Sequence, residues 1–147
     1  MIAIDFAIDG TDRVSRVLDT AGRTIEDTEV PLENISKNLL KTFDMNFASR
    51  GALYGGWAAR KDSNPWPLLE QTGDMRGSFD KAVTRNQSVL FNTALQFPYH
   101  QSSAPRTKLP RRVMMKLRAQ DARMIVKEFQ KHIAPALQGR TDVLRKQ

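Results

Sequence analysis

The stretch Leu69-Glu70-Gln71-Thr72-Gly73-Asp74-Met75-Arg76-Gly77-Ser78-Phe79 is the joint at which a helical first half of the chain gives way to a β-rich, basic second half. Gly73 takes φ > 0 without steric cost, and the Thr72 hydroxyl can bond nearby backbone, so the Thr-Gly step reads as a sharp reversal. Leu69 and Met75 flank the step and return both arms to the core. Met75 and Phe79 are four residues apart, so one helical turn after the glycine places both on one face. Ser78 reads as a turn or strand-start residue.

Upstream of the joint, Ile2, Ile4, Phe6 and Ile8 alternate with Ala3, Asp5, Ala7 and Asp9. Period two with β-favouring residues is a half-buried strand. Thr11 then caps a helix whose Val14, Val17, Leu18, Ala21 and Ile25 recur at three- and four-residue spacing. A second helix opens at Thr28-Glu29-Val30-Pro31, where proline is tolerated and an acid complements the helix dipole. Its stripe of Leu32, Ile35, Leu39, Phe43 and Phe47 predicts a helix to about Ser49, stopping near Gly51. Residues 51–67 then lose periodicity in a Trp- and Gly-rich loop. Trp57 and Trp66 within it either pin the loop to the core or anchor a partner.

Downstream, Ala82-Val83-Thr84, a turn at Arg85-Asn86-Gln87 and Ser88-Val89-Leu90-Phe91 predict a hairpin. Leu95, Phe97 and Tyr99 recover period two and predict a further strand, followed by an exposed loop over 100–110. Arg111 to Leu117 reads as a short strand. Ala122, Ile125, Val126, Phe129, Ile133 and Leu137 predict a last helix that frays near Pro135 and Gly139. The order implies one α+β domain over 1–138: an N-terminal strand, two amphipathic helices, a small antiparallel sheet and a C-terminal helix, with a basic tail at 139–147.

A chain of 147 residues suits a single core, and 40% hydrophobic with 27% charged residues is an ordinary globular composition. No apolar run reaches membrane-spanning length, and residues 1–10 lack the basic start of a secretion signal. The absence of cysteine excludes disulfides, thiolate catalysis and Cys-ligated metals. The net charge of +7 is uneven. Residues 1–50 hold nine acids against six bases, and residues 101–147 hold twelve bases against three acids. An acidic front and a basic back permit copies to meet front to back, or permit an anionic partner at the back.

Candidate chemistry is sparse. His100 and His132 show no metal-ligand spacing, with no HxxxH pattern. Ser78, His100 and an aspartate could be drawn as a triad, but no nucleophile-elbow sequence surrounds Ser78. Gly51, Gly55 and Gly56 lack the Lys-Ser or Lys-Thr of a phosphate loop. The reading is a protein without catalytic, cofactor or metal residues. Arg106, Lys108, Arg111, Arg112, Lys116, Arg118 and Arg123 form a dense basic stretch suited to phosphate, although no stacking aromatics are interleaved.

From Trp57 onward the chain resembles the virion morphogenesis (tail completion) family of tailed bacteriophages. The resemblance is carried by Gly56-Trp57-Ala58; by Leu69, Thr72-Gly73, Met75 and Ser78; by Asn92-Thr93; by Tyr99-His100-Gln101; and by Pro110, Arg112 and Met114. Here the tyrosine directly precedes His-Gln, Ser102-Ser103 stands where a glycine is common, and Met114 stands where an aromatic is usual. The resemblance implies a non-enzymatic structural protein of the virion neck or tail end, made in the bacterial host cytoplasm. It implies a ring, commonly hexameric, that joins the tail to the head-side connector. Its partners would be itself, the neighbouring connector or stopper, and the tail terminator or tube. DNA in the channel is a possible non-specific contact. Trp57, Trp66, Tyr99, His100, Arg111 and Arg112 are the candidate interface residues, and a basic DNA-binding accessory protein is the alternative.

Overall fold

The computed structural model describes residues 3–5, 27–103 and 108–144, with side chains over 27–103 and 108–135. The expected helix around Val14–Ile25 and the remainder of the first strand lie outside the described residues. Strand β1 (Ala3–Asp5) is followed by helix α1 (Glu29–Ala48), a single 3-10 turn (Ala52–Tyr54) and the short helix α2 (Asp74–Gly77). Strands β2 (Phe79–Val83) and β3 (Ser88–Asn92) follow, then the one-turn helix α3 (Phe97–Gln101) and the long helix α4 (Ala119–Leu144). The architecture is α+β, as the order of sequence patterns implies.

Helix α1 is the spine. Leu32, Ile35, Leu39, Phe43 and Phe47 are all buried, so its apolar stripe is a true core face. Pro31 sits in the first turn, where its missing N–H costs no intrahelical bond. Thr28 is the N-cap residue, but its side chain makes no bond back into the helix. Its N–H and its hydroxyl both donate to the Arg85 carbonyl, at 2.9 and 2.7 Å, which pins the helix start to the hairpin turn. At the other end Gly51, at φ +82°, donates its N–H to the Asn46 carbonyl at 2.7 Å and stops the helix.

The sheet has strand order β1-β3-β2 and is antiparallel throughout. The hairpin falls where the sequence places it, closed by the Thr84 N–H donating to the Gln87 carbonyl at 2.8 Å. Ser88, Leu90 and Asn92 are buried on one face of β3, the face that meets α1. Two serines couple helix and strand there. The Ser36 hydroxyl donates to the Leu32 carbonyl at 2.6 Å, so its 2.5 Å contact with Ser88 must be donated by Ser88. Phe79 is the aromatic hub, packing on Phe43, Phe47 and Phe97 at centroid distances of 5.4, 6.0 and 5.6 Å.

Helix α4 runs antiparallel to α1. Met124 lies at Asn38, and His132 lies 2.8 Å from the Asp27 carbonyl, so later residues of one helix meet earlier residues of the other. Asp121 reaches back to the Arg118 N–H at 2.9 Å in the manner of a capping box.

Four expectations are corrected. Leu95, Phe97 and Tyr99 do not form a strand: Phe97 is buried in α3, whereas Leu95 and Tyr99 are 83% and 65% exposed. Pro98 sets a helical φ at the start of this turn and lacks the N–H a ladder needs. Arg111 to Leu117 forms no strand and pairs with none among the described residues, and the consecutive Met114 and Met115 are both buried, which alternation forbids. Helix α2 ends at Gly77, so Phe79 opens β2 and does not share a helical face with Met75, although both pack on the core. Finally, α4 continues through Pro135 and Gly139 to Leu144, past the expected fraying point.

Candidate functional site

Two groups of motif residues emerge, one at the corner and one where the tryptophan loop meets the segment after α3. At the corner Gly73 has φ +78° and Leu69 has φ +65°, so the chain reverses through two left-handed residues. The Thr72 hydroxyl donates to Asp74 Oδ2 at 2.7 Å and fixes the start of α2. The Met75 carbonyl accepts from Asn92 Nδ2 at 2.7 Å, and the Ser78 carbonyl accepts from the Thr93 N–H at 3.1 Å. Ser78 therefore serves through its backbone at the entry to β2. Arg76 ties the corner to α1 through two bonds to Asp44, at 2.6 and 3.1 Å, and one to Glu70 at 3.2 Å. These bonds raise the guanidinium pKa, and Arg76 in turn holds the Asp44 carboxyl below its ordinary value.

The second group is a frame of side chains bonded to main chain. Trp57 Nε1 donates to the Val113 carbonyl at 2.8 Å, and Asn46 Nδ2 donates to the same oxygen at 3.1 Å. The indole stands edge-on to Phe47 at 5.0 Å. Gly51 is required beneath it, because a Cβ there would lie 2.2 Å from Trp57 Cδ1. Arg112, 6% exposed, returns the contact: its Nε donates to the Ala58 carbonyl at 3.1 Å and its Nη2 to the Ala59 carbonyl at 3.5 Å. Burial and then the like charge of Arg60 depress the Arg112 pKa. Arg60 is held by Asp62 at 3.5 Å and by the Asn64 carbonyl at 3.0 Å, and lies 5.9 Å over the Trp66 ring.

The missing strand partner of residues 111–117 is the side chain of Gln101. Its Oε1 accepts from the Met114 and Met115 N–H groups at 2.8 and 3.2 Å, and its Nε2 donates to the Met115 carbonyl at 2.7 Å. The His100 carbonyl accepts from the Arg112 N–H at 2.9 Å, and Arg111 Nε donates to the Gln101 carbonyl at 3.1 Å. A single amide thus supplies the bonds that a neighbouring strand would otherwise provide. The sequence marks Gln101 only as part of the Tyr99-His100-Gln101 motif, and nothing in its neighbours indicates that its amide bonds a segment more than ten residues away.

Of the candidate interface residues, Trp57, Arg112 and the backbone of His100 are brought together in this frame. Trp66 lies further along the loop, stacked with Arg60. Tyr99 and Arg111 are exposed at its edge. Tyr54, not singled out from the sequence, lies behind the frame near Arg118, and burial pushes its phenol up to about 12.

Chemically, the frame spends its donors on peptide carbonyls. Among the described residues no group of three or more His, Asp or Glu is placed to hold a metal ion. A shallow hollow of about 180 Å³ is lined by Asn92, Thr93, Ala94, Leu95 and Pro98, none of which titrates. Among the described residues no helix is long and apolar enough to cross a membrane. Glu33 pairs with Lys37 and Lys81, Asp121 with Arg118, and Glu128 with Lys131. Comparison with protein-family models, with curated proteins and with solved structures finds no match. What the fold and the site define together is an α+β scaffold with a main-chain-binding frame.

Proposed function

We propose that this chain is a structural protein of the virion neck of a tailed bacteriophage, a tail-completion component that assembles as a ring and joins tail to head. The observation that carries this reading is the convergence of motif residues far apart in sequence. Trp57, His100, Gln101 and Arg112 meet in one frame and bond to backbone. A catalyst aims such groups at a substrate, whereas a scaffold spends them on its own loops. The family resemblance supplies the assembly context, and heterologous contacts between copies would close the ring, six-fold by that resemblance.

Phage particles made without the protein test this. Filled heads and separate tails that fail to join, or join unstably, are the expected result; normal infectious particles overturn it. Reversal of Arg111 is informative in that assay because the residue is exposed. Reversal of Arg112 is not, because its guanidinium is buried and the variant would report on folding.

One observation favours the second reading, a DNA-binding accessory protein. Lys108, Arg111, Lys116, Arg123 and Lys127 are exposed and stand in no ion pair among the described residues. Their binding to duplex DNA would be steeply salt-dependent. A gel shift showing no complex at low salt and micromolar protein removes it.

A further inference from the structure

We infer that the Leu95–Tyr99 turn of one copy receives the start of α1 from a second copy, forming a head-to-tail contact. This rests on the ring reading and names the two surfaces that would close the ring. Leu95 and Tyr99 are the two most exposed large hydrophobic residues among the described residues, at 83% and 65%. Leu95 stands in the turn that leads into α3 and Tyr99 in α3 itself, two exposed apolar side chains within five consecutive residues. Beside them lies the hollow formed by Asn92, Thr93, Ala94, Leu95 and Pro98. At about 180 Å³ it is below the roughly 300 Å³ at which small-molecule pockets begin. Its size suits one aliphatic side chain, and an exposed tyrosine next to such a hollow has the make-up of an interface anchor.

Charge selects the occupant. The rim of the turn is basic: Arg111 is held at the end of α3 by its bond to the Gln101 carbonyl. The start of α1 is the converse. Val30 is 63% exposed there, between Asp27, Glu29 and Glu33, and neither Asp27 nor Glu29 is in an ion pair among the described residues.

Within one copy these surfaces cannot meet. The start of α1 is pinned to the hairpin turn through Thr28 and Arg85. The α3 turn is anchored at the opposite end, through Phe97 on Phe79 and Phe79 on Phe43 and Phe47. The 20 residues of α1 put about 30 Å between those ends. Two complementary surfaces at opposite ends of one molecule define a heterologous contact, which closes into a ring when the rotation allows. Val30 is the side chain placed to enter the hollow, with Glu29 opposite Arg111.

The test is sedimentation velocity on the full chain, with circular dichroism to confirm folding. Glu29→Lys and Arg111→Glu should each weaken association about tenfold or more, and the double reversal in one chain should restore most of the loss. Leu95→Asp, at an 83% exposed side chain, should abolish the oligomer while leaving the circular dichroism spectrum of the folded chain unchanged. A wild-type oligomer that none of these variants weakens, or a double reversal no better than the singles, overturns this contact and leaves the ring reading standing. A wild-type chain that stays monomeric at its highest soluble concentration overturns both.

Discussion

Trp57 and Arg112 hold each other's backbone: the indole donates to the carbonyl of Val113, next to Arg112, and the guanidinium donates to the carbonyl of Ala58, next to Trp57. Each side chain thereby fixes the chain from which the other projects. A loop without secondary structure is tied to a segment without a strand partner, and neither order survives alone.

Trp57→Ala should therefore cost more than the packing of one half-buried ring. Loss of the aromatic body on Phe47 and of one bond to Val113 predicts a loss of about 3–5 kcal/mol in urea unfolding. Trp57→Phe should cost only about 1 kcal/mol, because Asn46 still bonds the same carbonyl. Equal losses for the two variants would show that the hydrogen bond, not the ring, dominates.

Gln101→Ala leaves the N–H groups of Met114 and Met115 without their acceptor beside the core. Each buried unpaired group costs about 1–3 kcal/mol, so a total near 2–4 kcal/mol is expected. Hydrogen exchange should quicken at those two amides before it does in β3. Unchanged protection there would disprove the strand-surrogate role of the amide.

Gly73 has φ +78°, and a Cβ at that position would meet nothing within 4 Å. The cost of substitution is thus backbone strain alone. Gly73→Val should destabilise by about 1–3 kcal/mol, while Gly73→Asn, which tolerates the left-handed region, should lose well under half as much. A thermal melt of the two variants distinguishes this from a packing defect, which would penalise asparagine as heavily as valine.

Acid should unfold the protein partly through Asp121. Burial works to raise its pKa, but the side-chain and backbone bonds from Arg118, at 2.8 to 2.9 Å, outweigh it and hold the carboxyl below its ordinary value. A carboxyl depressed in the folded state contributes stability that is complete above its unfolded pKa, roughly 3.9, and is lost as pH falls through the folded value. Stability should stay flat from neutrality to about pH 5 and fall below about pH 4. Asp121→Asn should flatten that acid limb; an unaltered slope would assign it to Asp44 and the other carboxylates.

Much of the architecture was legible in the residues. The stripe from Leu32 to Phe47, the Gly51 stop, the Arg85-Asn86 turn and the left-handed Gly73 all follow from local rules, because each element's own periodicity or φ requirement decides it. Local patterns failed where a distant group supplied the bonding. Leu95, Phe97 and Tyr99 alternate like a strand, yet Pro98 and the pull of Phe97 onto Phe79 make a helical turn. Met114 and Met115 are both buried because a glutamine side chain, not a strand, satisfies their backbone. The candidate interface residues were scattered across more than fifty positions, and nothing in their spacing indicated which would turn inward.

By itself, then, the sequence determined helix α1, the body of α4, the hairpin, the corner at Leu69 to Phe79 and the polarity of charge along the chain. These depend on interactions within a few residues, or on composition. Tertiary structure alone decided that Arg112 is a buried staple while Arg111 remains outside. It also decided that the Leu95–Tyr99 turn and the start of α1 lie at opposite ends of the molecule. The physical reason is that burial and bonding partners belong to the packed chain: Trp57 and Arg112 find their acceptors 56 and 54 residues away, and no local signal encodes that distance.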